Sequence, residues 1–316
     1  MQAHITSVGL VIKPDPADTF AYPHHIDRAS LDALPSKPGI YIFRDEQDRP
    51  LYVGKSVNIR SRVLSHLRTP EEARMLRASR YVEFRRTAGD IGALLLESRL
   101  IKELQPLHNK KLRRTREMCT LHLGQDMKSA PDIVYARDHD FAKTADLYGL
   151  FATRKAALEK LREIVDVEML CPAMTGLETA THGRACFARQ ISRCLGACVG
   201  AESIDAHYLR LRTALEEMRI VIWPYDGPMG IVEECDGWKQ THVIDHWFYV
   251  GSIDQAKGAQ KISRAAQRTF DVDTYKILVK PMLRGELRIE PVTLARRDKC
   301  GKRGKLDKRP TEGPKA

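Results

Sequence analysis

A chain of 316 residues, 43% of them hydrophobic, is long for one compact core and is expected to form two or three domains. No apolar run approaches the roughly 20 residues of a membrane span, and Met1-Gln2-Ala3-His4-Ile5 lacks the pattern of a signal peptide, so the expected location is the cytoplasm. The net charge of +11 is unevenly spread: residues 54–116 carry 16 Lys/Arg against 6 Asp/Glu, and residues 296–316 carry 9 against 3. A basic block within a mildly acidic remainder is the footprint of a nucleic-acid binder, with a solvated Arg-rich surface as the bland alternative.

Along the chain, residues 1–33 read as a leader with one helical piece. Ile40-Tyr41-Ile42-Phe43 and Leu51-Tyr52-Val53 flank a polar turn and predict a β-hairpin. Ile59, Val63 and Leu67 recur at helical spacing. Tyr81-Val82-Glu83-Phe84 alternates as a strand, and a helix capped by Asp90 runs to Leu104, where Pro106 ends it. Residues 116–150 read as a connector with a strand or two. Helices follow over 155–167 and about 205–219. Strands are expected at Ile220-Val221-Ile222-Trp223, Gly230-Ile231-Val232, His246-Trp247-Phe248-Tyr249-Val250 and Tyr275-Lys276-Ile277-Leu278-Val279, with a helix near 255–266. The tail from Lys299 has no periodicity and is expected to be disordered.

The hairpin sets Tyr41 and Tyr52 on neighbouring strands with Gly54 and Lys55 at its exit, and Arg62 and His66 share a helix face. Glu97 lies on the apolar stripe of its helix, where an ionised carboxylate needs a cationic partner. Taken singly, hairpin tyrosines are usually core, an Arg/His pair is usually surface, and a buried Glu is more often an ion pair than a metal ligand. Their combination resembles the GIY-YIG nuclease family: Pro38-Gly39-Ile40-Tyr41, then Leu51-Tyr52-Val53-Gly54-Lys55-Ser56, then Asn58 to Arg62 with His66, Glu97, and a closing Asn109. Val53 stands where the family's middle Ile is usual. The Tyr41–Glu97 interval is slightly long, which places extra loop residues around 68–78.

Phosphodiester hydrolysis needs an activated water and neutralisation of phosphate and leaving-group charge. Because Glu97 is the only acid expected to point inward, one Mg²⁺ (or Mn²⁺) on Glu97 is the economical reading. The resemblance implies Tyr41 as general base, its phenolate favoured by Lys55, Arg62 or the metal, with Arg62 gripping the phosphate. Tyr52, His66 and Asn109 are assigned to positioning, and Arg60, Arg85, Arg86, Lys110, Lys111, Arg113 and Arg114 to DNA binding.

Cys171, Cys186, Cys194 and Cys198 are spaced C-x14-C-x7-C-x3-C. Four thiolates suit tetrahedral zinc or an iron–sulfur cluster. Buried free cysteines are the bland alternative, but the basic, Gly-punctuated stretch between them is poor core material. The GIY-YIG module followed by YGLFATRKAALEKLREI and this cluster resembles the N-terminal half of the UvrC excision-repair nucleases, which implies a 4Fe–4S centre, with Zn²⁺ left open. UvrC proteins are about twice as long and add an RNase H-like nuclease and helix-hairpin-helix motifs, for which no room is expected here. The short, single-nuclease branch of the family fits over roughly residues 20–290, including WPYDGPMGIVE.

The expectation is therefore an α+β chain. It comprises a leader (1–33), a GIY-YIG nuclease domain with an antiparallel-rich sheet flanked by helices (34–115), and a connector (116–150). A helical domain with the cysteine cluster (151–219), a C-terminal α+β domain (220–295) and a basic tail (296–316) follow. The resemblance implies a monomeric endonuclease that cuts damaged double-stranded DNA on the 3′ side of a lesion, with UvrB as partner after loading by UvrA. The readings set against it are a structure-specific GIY-YIG nuclease outside excision repair and a non-catalytic DNA-binding adaptor.

Overall fold

The computed structural model describes residues 23–110, 117–124, 126, 129–179, 184–254 and 270–293. Lys111, Arg113, Arg114, the helix expected near 255–266 and the tail lie outside them. The chain is α+β: the described residues form three antiparallel sheets with helices packed against them. Among the described residues, no helix is long and apolar enough to cross a membrane.

Helix α1 (Arg28–Asp32) is capped by Asp27 and precedes the hairpin of β1 (Gly39–Arg44) and β2 (Pro50–Ser56). Helix α2 (Ile59–Leu67), a short 3-10 turn (Pro70–Glu72) and α3 (Ala73–Ala78) lead to β3 (Tyr81–Arg86) and α4 (Asp90–Leu104). The sheet order is β2-β1-β3, so β1 is central. Its Ile-Tyr-Ile-Phe run is apolar on both faces because both faces are covered. Ile40 and Ile42 pack with Leu100 and Ile101 of α4, while Tyr41 and Phe43 pack with Ile59, Val63, Leu67, Met75 and Leu76. The residues expected as extra loop around 68–78 are thus the 3-10 turn and α3.

Strands β4 (Cys119–His122), β5 (Asp132–Tyr135) and β6 (Leu147–Phe151) form a second sheet in the order β5-β4-β6. Helices α5 (Arg154–Val167), α6 (Phe187–Gln190) and α7 (Ile204–Leu215) follow. α5 and α7 close over the sheet with Leu161, Ile164, Val165, Tyr208, Leu211 and Leu215. The third sheet, in the order β10-β7-β8-β9, comprises β7 (Met229–Cys235), β8 (Trp238–Asp245), β9 (Phe248–Asp254) and, after helix α8 (Val272–Leu283), β10 (Ile289–Pro291).

Four expected elements differ. Tyr275 to Val279 lie in α8: Asp271 accepts from the Asp273 and Thr274 amides, and Tyr275 and Leu278, three apart, turn into the core. His246 and Trp247 are the two-residue turn between β8 and β9, both with positive φ (52° and 60°). The buried Trp247 ring, donating Nε1–H to the Val221 carbonyl at 2.9 Å, holds that turn. Residues 220–223 form no strand. Ile220 and Trp223, also three apart, are buried, and their amides donate to Leu147 and Ala142 carbonyls. Asp90 is the first helical residue, and the cap position falls to Gly89, which has no side chain to offer.

Candidate active site and cysteine cluster

Tyr41 pairs with Gly54 across the hairpin, and its ring lies over that glycine. A Cβ on residue 54 would stand 2.3 Å from the Tyr41 hydroxyl, so only glycine leaves the ring in place. Tyr52 leans against Tyr41 at a centroid distance of 6.2 Å, and His66, from the last turn of α2, is 5.3 Å from Tyr41 and 5.4 Å from Tyr52. Tyr41 and His66 are buried, and Tyr52 is half-buried.

The Tyr41 hydroxyl and His66 Nε2 are 2.6 Å apart, while His66 Nδ1 meets the Glu72 carboxylate. A carboxylate can only accept, so the Nδ1 proton faces Glu72 and Nε2 is left to accept from Tyr41. Burial lowers the His66 pKa below its ordinary value, with Glu72 opposing and Arg62 assisting. That direction favours the neutral ring, the state this arrangement needs. Burial, then the neighbouring Tyr52, pushes the Tyr41 hydroxyl far above the usual tyrosine range, and Arg62 pulls the other way. Tyr52 is raised as well, by burial and by the charges of Glu97 and Glu72.

Glu97 is half-buried and accepts the Lys55 backbone N–H at 3.0 Å through Oε1. Burial raises its pKa; the Lys55 amide and charge act against this, and Asp90 with it. A desolvated carboxylate with one oxygen held by a backbone amide, near two phenols that the exposed Arg62 also faces, has the donor chemistry of a hard divalent cation site. Lys55 differs from expectation: its Nζ pairs with Asp90 at 2.8 Å rather than serving Tyr41. Asn109 is buried and mimics a strand, accepting from Val53 N–H and donating to Val53 C=O, both at 2.9 Å.

In the cysteine cluster, Cys171, Cys186 and Cys198 bring their sulfurs within 4.8 Å of one another, a group that could hold a metal ion. Cys186 Sγ is also 3.8 Å from both Cys171 and Cys194. Thiolates about 2.3 Å from a tetrahedral metal stand about 3.8 Å apart, a spacing that the Cys186–Cys171 and Cys186–Cys194 pairs match, whereas Cys194 lies outside the three-sulfur group. The Gly196 amide points at Cys194 Sγ and the Cys186 amide at Cys198 Sγ. The Cys171 amide donates to His207 Nε2 at 3.0 Å.

Three family models tile this chain: the UvrC-like GIY-YIG domain over residues 37–110, the UvrC/Cho excinuclease middle domain over 118–217, and the excinuclease Cho C-terminal domain over 228–296. The chain belongs to the UvrC/Cho excinuclease family. It is an endonuclease of nucleotide excision repair. The excinuclease Cho of Escherichia coli K12 is 50% identical over 274 residues, 86% of this chain and 91% of that protein, and that of Salmonella typhi is 47% identical over the same length. The UvrABC system protein C of Cereibacter sphaeroides is 34% identical over 56% of this chain but only 29% of its own length. The magnesium-bound GIY-YIG domain of UvrC from Thermotoga maritima is 30% identical over 26% of this chain and 93% of that domain, with a TM-score of 0.24.

Within this excinuclease, the hairpin, α2 and α4 bring Tyr41, Tyr52, Arg62, His66 and Glu97 to one place. The basic residues named for DNA divide. Arg85, Arg86 and Lys110 are exposed, Arg85 pairing with Glu83 and Arg86 lying over the Trp238 ring. Arg60 instead donates to the Asp32 and Leu34 carbonyls, tying α2 to α1. Sequence reasoning missed Glu72, which stands six residues beyond His66 across a helix break and carries no periodic signal. It also missed Asp90, whose spacing of seven from Glu97, two helical turns, could have been noticed.

Proposed function

We propose that this chain makes the incision on the 3′ side of a lesion in duplex DNA, brought to the site by UvrB after UvrA has loaded it, with Mg²⁺ held by Glu97. The observation that carries the proposal is the line from buried Tyr41 and His66 to half-buried Glu72, close to Arg62. Water attacks phosphorus, a new P–O bond forms and the bond to the 3′-oxygen breaks. Tyr41 takes the water proton as its own passes to His66 Nε2, whose Nδ1–H stays on Glu72. Arg62 pairs two phosphate oxygens. When bound, the metal supplies positive charge for the phosphate and the leaving oxygen. Asn109 holds β2 at the register that keeps Gly54 under Tyr41.

A second reading has a specific observation in its favour. Tyr41 is only 1% exposed, whereas Tyr52 is half-buried, so Tyr52 is the phenol better placed to touch the water. Tyr41→Phe and Tyr52→Phe, assayed on an end-labelled lesion duplex with UvrA and UvrB, separate the two. Loss of a general base costs about 10²–10⁴-fold in rate. A larger loss at Tyr41 supports the relay, a larger loss at Tyr52 supports the second reading, and normal cutting by both removes the phenols from the chemistry.

The four cysteines are proposed to hold a structural metal centre, the family resemblance implying 4Fe–4S and the 3.8 Å sulfur spacing suiting one zinc.

A further inference from the structure

Helix α4 carries Glu97 but begins badly. Its cap position is Gly89, with φ −162° and no side chain, so the first-turn amides have no local acceptor. Their partner comes from the third sheet. Glu233 on β7 accepts the Ile91 amide at 2.9 Å through one oxygen and the Gly92 amide at 2.8 Å through the other. These are the second and third helical residues, the amides that a cap side chain normally serves. The carboxylate also meets the positive end of the helix dipole.

The socket is built for it. A Cβ on Gly89 would fall 2.2 Å from Glu233 Oε1, and one on Gly92 would fall 2.3 Å from the His242 ring. His242 is fully buried. Its Nε2–H donates to Glu233 at 2.9 Å, and its Nδ1 accepts from Ser252 at 2.7 Å. Each polar atom in this chain has a partner, so Glu233 is held in one place before it meets the helix. The Ala88 amide, donating to Gln240 at 3.2 Å, continues the contact beside it.

We propose that Glu233 is a positioning residue of the nuclease: it caps α4 from the C-terminal sheet and thereby fixes the rotation and depth at which Glu97 meets the hairpin. A helix free at its first turn frays there, and Asp90, which orients Lys55, lies in that turn. The Lys55 backbone in turn holds Glu97. The C-terminal unit is therefore part of the catalytic apparatus. The inference rests on Glu97 serving the nuclease.

The test uses the full chain. In E233A, hydrogen exchange at the Ile91 and Gly92 amides is expected to speed up about tenfold, the scale of a lost cap. Incision with UvrA and UvrB is expected to fall about 10- to 100-fold, the scale of a lost orienting partner. The decisive variant adds G89S to E233A: residue 89 has an extended backbone that any residue adopts, and the vacated socket has room for a local cap. Recovery of both exchange protection and incision is expected. Unchanged exchange or unchanged incision in E233A overturns the proposal, and so does a double variant that regains protection without regaining incision. E233Q keeps the side-chain volume and one acceptor and is expected to be intermediate in both readouts; wild-type behaviour there also overturns it. Absence of incision by the wild-type chain would tell against the nuclease reading itself, while the exchange data would still report the cap.

Discussion

Replacing Glu72 by Gln is the sharpest probe of the proposed relay. The side chain is 31% exposed, and the amide has the same volume, so packing is preserved. The stability cost is that of weakening one partly solvated, charge-assisted hydrogen bond, about 1.5 kcal/mol at the low end of its range. The chemical cost is larger. An amide can turn its NH₂ toward Nδ1, which moves the imidazole proton to Nε2, where it confronts the Tyr41 hydroxyl and stops that atom accepting. The wrong tautomer in a relay of this kind costs up to about 10⁴-fold in rate, so a loss of about 10²–10⁴ is expected in single-turnover incision of an end-labelled lesion duplex. The pH profile supplies an independent readout. His66 works neutral, and the groups around it are Glu72, Arg62, Tyr41 and Tyr52. Its pKa is depressed by burial and pulled back up by Glu72. Activity therefore falls as pH drops through that lowered value, and removing the charge of Glu72 moves the acid limb to still lower pH. The same depression makes the stability contributed by neutral His66 fully present above the unfolded value of 6.5 and lost as pH falls through the folded one. E72Q cutting at the wild-type rate with an unshifted acid limb would refute the relay.

E97Q is expected to lose incision yet melt higher than wild type at neutral pH in chelator. Burial raises the Glu97 pKa, so the stability tied to its protonated form is lost as pH rises through the folded value, and a neutral amide avoids that loss; a lower melting temperature by differential scanning fluorimetry would contradict this. G54A should displace the Tyr41 ring, because the new methyl would sit 2.3 Å from its hydroxyl, and lower incision at least about 10²-fold with circular dichroism unchanged. Anaerobically purified protein should carry metal on its four cysteines, brown and iron-containing for a cluster, colourless with one zinc otherwise, and C171S or C194S should lose it. Full metal content in those variants would place the metal elsewhere.

The nuclease motif was legible because its residues sit at fixed offsets within single elements. Tyr41 and Tyr52 belong to one hairpin, Arg62 and His66 to one helix face, and Glu97 to one apolar stripe. Partners that reach a residue from another element left no such trace. Glu72 approaches His66 from beyond Pro70, Asp90 diverts Lys55 from the phenols, and Glu233 comes to α4 from 141 positions away in sequence. The misread strands failed for a related reason. Ile277 and Val279 favour strands locally, but Asp271 caps a helix there and Lys102 reaches Asp271 and Asp273 at 2.6 and 2.7 Å, so tertiary contacts override composition. His246 and Trp247 have none of the usual turn chemistry, and only the buried indole explains their left-handed backbone.

Helix α4 has two apolar flanks with two owners. Leu100 and Ile101 belong to the core beneath the β1–β2 hairpin, whereas Ile91 and Leu95 belong to the core containing Trp223, Trp247 and Leu278. A cut after residue 110 would bare Ile91 and Leu95 to water and leave the helix start without an acceptor, so a fragment ending there is expected to aggregate or bind a surrogate surface. Grafting this nuclease onto another carrier would require polar residues at 91 and 95 and a serine or aspartate at 89. Without those changes, the nuclease domain is expected to depend on the C-terminal sheet for its stability.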